Sequence, residues 1–152
     1  MKRFISLVLC IATTILCFAS CSKKIAEEGD VSVVIEVKDG EYEIYKTYLE
    51  NVENKHEGLL AVIKNLHARP RDPLHVEYTD ESFSPRICEI GPLKEGDGKY
   101  IVYYTSVETD SFFGAPTVAY GDTLLHMAGI GVEMAEVPSG AVFLFRLEAN
   151  PF

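Results

Sequence analysis

Residues 59–66, Leu59-Leu60-Ala61-Val62-Ile63-Lys64-Asn65-Leu66, decide the fold class. Leu59, Val62, Ile63 and Leu66 recur at i, i+3, i+4 and i+7, which puts four apolar side chains on one face of a helix. Asn54 is the expected N-cap, and Glu57 three residues on completes a capping-box pattern. Gly58 weakens the first turn by up to about 1 kcal/mol relative to alanine. Pro70 bars continuation, so the helix is expected to end near residues 66–68. The segments on either side have the period of strands.

Upstream, Val31 to Val37 is β-branched and apolar with polar interruptions. Lys38-Asp39-Gly40 turns the chain, and Glu43 to Leu49 follows, which predicts a β-hairpin. Downstream, Leu74 to Tyr78 alternates like a half-buried strand. Arg86 to Ile90 is a short strand stopped by Gly91-Pro92, and Glu95-Gly96-Asp97-Gly98 is a tight turn. Lys99 to Thr105 is apolar at successive positions, as expected of a central strand covered on both faces. Met134 to Val137 predicts a short edge strand and Ala141 to Leu147 a final one. Ser106 to Val132 has the least regular pattern, with Phe112-Phe113-Gly114, Pro116 and Tyr120-Gly121-Asp122, and reads as a long loop containing a short apolar piece. The order predicts an α+β fold, one helix packed on a mixed sheet, in a single domain over residues 31–149.

The N-terminus reads as an address. Lys2 and Arg3 precede an apolar run from Phe4 to Leu16, the layout of a secretory signal. The run is shorter than the roughly 20 residues a spanning helix needs. Ala19-Ser20 directly before Cys21 resembles a bacterial lipobox. That resemblance implies a lipoprotein signal peptide over residues 1–20, diacylglycerol on the Cys21 sulfur, and a tether over residues 21–30. The expected location is extracytoplasmic, with the membrane as partner through the lipid anchor on the cell membrane or outer membrane of a bacterium. Cys10 and Cys17 leave with the signal, so Cys88 is the one free thiol of the mature chain and the fold has no internal disulfide. Its apolar-alternating surroundings predict a buried small hydrophobe.

The chain carries a formal charge of −9, and loss of Lys2 and Arg3 takes it to −11. A surface that acidic repels phosphate backbones, so nucleic acid is excluded as a partner.

A hairpin, a helix opening with Gly58-Leu59-Leu60, the segment Ile87-Cys88-Glu89-Ile90-Gly91-Pro92, the aromatic strand Tyr100 to Tyr104, and Ala128-Gly129-Ile130-Gly131 before a last strand together resemble the transcobalamin C-terminal-like domain family. The resemblance spans most of residues 31–148. It implies a β-grasp-like mixed sheet with one packed helix, and a corrinoid-like small molecule as ligand. The chain departs from the family pattern in having no Trp, in Thr105-Ser106 and in Pro138-Ser139-Gly140, and it has no second, helical domain.

Catalytic signatures are missing. His56-Glu57 opens like a metalloprotease helix, but Leu60 stands where the second His is needed. His67, His75 and His126 show no metal-ligand spacing, and no P-loop, nucleophile elbow or dinucleotide fingerprint occurs. No cofactor, metal or catalytic residue is expected. Aromatic residues remain: Tyr100 and Tyr103 are expected in the core, whereas Tyr104, Phe112, Phe113 and Tyr120 on the long loop form the expected ligand- or partner-binding surface. The expected function is a non-catalytic, lipid-anchored binding module for a small molecule or an envelope protein. The alternatives are a structural or adhesive surface lipoprotein and, last, an envelope hydrolase using Cys88 or Ser106.

Overall fold

The computed structural model of the chain describes residues 22–24, 28–79 and 85–149. The stretch read as a signal, and Cys21, read as the lipidation site, lie outside the described residues. Within the segment read as a tether, Ser22–Lys24 (β1) forms a short strand.

The expected hairpin forms from Val31–Lys38 (β2) and Glu41–Thr47 (β3), turned at Gly40, whose φ of 79° needs a residue without Cβ. β1 runs parallel to β3 at the hairpin's outer edge. A 3₁₀ turn at Leu49–Asn51 then leads towards Gly58–His67 (α1). The four residues of the predicted stripe are buried, as are Leu60 and Ala61. Full burial of side chains such as Leu59, Ile63 and Leu66 is worth roughly 1.5–3 kcal/mol each. Two side chains fix α1 over the sheet: Thr47 Oγ1 donates to Asn65 Oδ1 at 2.9 Å, and Asn65 Nδ2 donates to the Asn51 carbonyl at 2.9 Å.

The capping box does not form. Asn54 sits at φ 52° and makes no side-chain cap bond, residues Lys55–Glu57 are a separate 3₁₀ turn, and Glu57 pairs forward with Lys64. A tertiary carbonyl replaces the local cap: Leu60 N–H donates to Val132 O at 3.0 Å.

After α1 come Val76–Thr79 (β4), Arg86–Ile90 (β5) and Leu93–Lys94 (β6), which form a separate small antiparallel sheet rather than extending the large one. Lys99–Thr105 (β7) returns to the large sheet. The stretch read as a long loop contains a 3₁₀ turn at Glu108–Asp110 and a hairpin of Thr117–Tyr120 (β8) and Thr123–Met127 (β9). Met134 to Val137 forms no strand. Val142–Ala149 (β10) closes the chain.

The large sheet has the order β1-β3-β2-β10-β7-β9-β8. β10 lies between β2, to which it is parallel, and β7, to which it is antiparallel. The fold is therefore α+β with a mixed sheet, a second small sheet and one helix. β7 is central, as expected, and its alternation feeds two cores. Ile101 and Tyr103 pack on the helix side with Val33, Ile35, Phe143 and Phe145, while Val102 and Tyr104 point to the other face with Val34, Leu125, Met127 and Leu144. The sheet curls around this second core until β8 reaches β3.

Candidate functional site

The expected aromatic surface does not assemble as one site. Tyr104 is not on a loop: it lies in β7, buried, and its hydroxyl donates to Glu148 Oε1 at 2.6 Å. Strand alternation puts it into the second core, and burial raises its pKa. Tyr120 ends β8 and packs edge-on against Tyr42. Phe112 covers Gly129 and is half exposed, and Phe113 at the tip of the turn is wholly exposed. Of the two tyrosines expected in the core, Tyr103 stacks on Phe145 at 5.5 Å and donates to Ile130 O at 2.9 Å. Tyr100 instead lies at the surface, its ring 5.4 Å from the Arg86 guanidinium. Cys88 is partly exposed rather than buried, lies at the irregularity in the β4–β5 pairing, and its thiol donates to Glu77 O at 3.4 Å.

A concavity of a different kind lies elsewhere. The segment 129–138 straps across the start of α1 and leaves a groove of about 740 Å³ beside it. Leu49, Val52, Val62, Ala135 and Val137 supply its apolar surface, while Lys55, His56, Glu133 and Glu136 add polar groups. That volume falls in the range of small-molecule sites. The sequence pattern is silent here because the two walls are some 70 residues apart in the chain.

Asp110 holds the strap. Its side chain is buried, its Oδ2 accepts from Glu136 N–H at 3.0 Å, and its carbonyl accepts from Gly129 N–H at 2.9 Å. Desolvation raises its pKa, against the lowering effect of the Glu136 N–H. Gly58 completes the joint. At φ 57°, a Cβ there would stand 2.5 Å from Ala135 O, so only glycine lets the strap come this close.

One group at this joint is left over: Glu133 Oε2 is buried and has no hydrogen-bond partner among the described residues. A buried acceptor of this kind needs an explanation, since leaving it unmade costs about 1–3 kcal/mol or more when charged. A donor on a bound molecule is one way of meeting it.

The residues considered for nucleophilic chemistry make backbone bonds. Ser106 Oγ accepts from Val142 N–H at 3.0 Å, and Cys88 is bonded to Glu77 O. Elsewhere His75, read as unpaired in the sequence, faces Glu77 and Glu89 on the small sheet. Alternation along the predicted strand already put His75 and Glu77 on one face. Only the register between β4 and β5 adds Glu89.

The chain matches no family model, no curated protein and no solved structure.

Proposed function

We propose that this chain is a non-catalytic, lipid-anchored extracytoplasmic binding module that takes a small molecule in the groove between α1 and the 129–138 strap. The observation that carries this reading is the buried Glu133 Oε2, without a hydrogen-bond partner among the described residues, beside a partly apolar groove of ligand size. The ligand is one that offers N–H or O–H donors together with apolar surface to this mixed lining. A corrinoid, rimmed with amide groups, has that chemistry, and the groove would cover one side of it rather than enclose it.

A β-grasp-like reading of the domain accompanies this proposal. It is supported by the hairpin β2–β3, the single helix across one face, and the last strand inserted parallel to β2. Lipid attachment at Cys21 would hold the groove close to the membrane, and the acidic domain adds no pull of its own towards anionic lipid.

The test is a titration of a soluble fragment starting at Ser22, which keeps β1, with cyanocobalamin followed by absorbance and gel-filtration co-elution. Micromolar binding that falls at least about tenfold in Glu133→Gln supports the reading, since a hydrogen bond to a charged group is worth about 1.5–3 kcal/mol. Absence of co-elution removes the corrinoid.

A second reading, a structural or adhesive lipoprotein acting by protein contacts, is favoured by Phe113, whose side chain is fully offered to solvent. The edge of β7 facing β9 supports it less. Lys99 pairs with Gly96 there, Ile101 N–H donates to Glu95 Oε1 at 2.9 Å, and Tyr103 O accepts from Ala128 N–H. Those bonds blunt the edge against strand addition.

A further inference from the structure

The small sheet carries a second constellation, independent of the groove. His75 and Glu77 stand two residues apart and so share a face of the ladder. Glu89 is the cross-strand partner of Glu77. The His75 carbonyl accepts from Gly91 N–H at 2.8 Å, which fixes the backbone of the third position in the same register. Inward-facing Val76 and Ile90 are both buried, so the three polar side chains are committed to the outer face.

The separations are informative. His75 Nε2 is 3.6 Å from Glu89 Oε2 and 3.8 Å from Glu77 Oε1, and the three ligand atoms all lie within 4.8 Å of one another. These gaps are longer than the roughly 3 Å of a hydrogen bond. They are close to the edge of a coordination tetrahedron, roughly 3.3–3.6 Å when each bond is 2.0–2.2 Å. Two glutamates directly opposite each other repel unless a cation lies between them. Lys94 meets only part of that demand, because it pairs with Glu89 Oε1 and leaves Oε2 turned to the imidazole. That division resembles the way an outer partner orients a carboxylate ligand through its second oxygen. The β-bulge next to Glu89, where Cys88 has no partner residue on β4, is the kind of irregularity that re-aims a side chain at a site.

We propose that His75, Glu77 and Glu89 bind a divalent transition-metal ion, with zinc the best match to one imidazole nitrogen and two carboxylate oxygens. Three protein ligands leave a fourth position open to water or to a group from another molecule. The site lies on the exposed face of the sheet, with His75 and Glu77 both more than half exposed, so the open position faces solvent.

The test uses the full, untagged chain in detergent, stripped of metal with a chelator. Zinc is titrated by calorimetry and cobalt by its visible absorption, which reports coordination geometry. The expected result is one saturable equivalent per chain, a cobalt spectrum of four- or five-coordinate type, and a melting temperature raised by zinc. His75→Ala and Glu89→Gln each lose at least about tenfold in affinity, while Asp97→Asn, in the turn between β6 and β7 and outside the cluster, binds as the wild type does. All three side chains altered are exposed or partly exposed, and far-ultraviolet circular dichroism checks that each variant is folded. No saturable binding, or binding of undiminished affinity in His75→Ala, overturns the proposal.

Discussion

The rings of Tyr42 and Tyr120 meet edge to face, 5.2 Å between centroids at an interplanar angle of 82°. Tyr42 belongs to β3 and Tyr120 to β8, and four strands separate these two in the order of the sheet. Contact between them means that the sheet curls far enough to bring β8 back to β3 over one core. The pair closes the second core, where Val34, Leu125, Met127 and Leu144 are buried. A double-mutant cycle of Tyr42→Ala and Tyr120→Ala, measured by urea unfolding, is expected to give a coupling of about 0.5–1.5 kcal/mol. A coupling of zero would mean that the curl does not depend on this contact.

Gly58→Ala provides a test of the strap joint with a clear sign. In an ordinary helix the change is favourable by about 1 kcal/mol. Here the residue has φ 57° and its new Cβ would meet Ala135 O, so the substitution is expected to destabilise by more than about 1 kcal/mol. The loss should appear first as faster amide exchange at Leu60, whose N–H is held by Val132 O.

Asp110 predicts a pH dependence. Its folded pKa is raised, chiefly by desolvation, so the stability that it contributes is complete below the unfolded value of about 3.9 and is lost as pH rises through the folded value. The difference in unfolding free energy between wild type and Asp110→Asn should therefore shift in favour of the variant as pH rises across that window. Asp110→Ala is expected to cost about 1–3 kcal/mol, since Glu136 N–H then loses its acceptor.

Phe113→Ser addresses the protein-contact reading. The side chain is wholly exposed, so the unfolding free energy should change by no more than about 0.5 kcal/mol. Retention on a phenyl matrix should fall. A large loss of stability would show that the ring packs on the molecule.

Much of the fold was legible because it is written in local periods. The stripe Leu59, Val62, Ile63 and Leu66 foretold α1, which starts three residues later than a cap at Asn54 implies, and the Val31 to Leu49 pattern foretold the hairpin, its strands within two residues at each end. The apolar run in β7 foretold a strand covered on both faces. What failed was whatever depended on a distant partner. Asn54 and Glu57 have the spacing of a capping box, yet the carbonyl of Val132 is what meets the helix N-terminus. Tyr104 and Tyr100 have the same chemistry and lie four residues apart, but one is sealed in the second core and the other faces solvent. Their places follow from where β9 pairs with β7, which it does only at Tyr104 and Thr105.

The sequence by itself determined the class of the fold, the number of helices and most of the strands, because helix and strand periods are properties of neighbouring residues. It also determined the acidic charge. The tertiary structure decided which surfaces exist. The groove beside α1, the orphaned oxygen of Glu133 and the grouping of His75 with Glu77 and Glu89 all depend on strand register and on a strap crossing a helix. Those arrangements are fixed by long-range pairing and close packing, which leave no period in the chain to read.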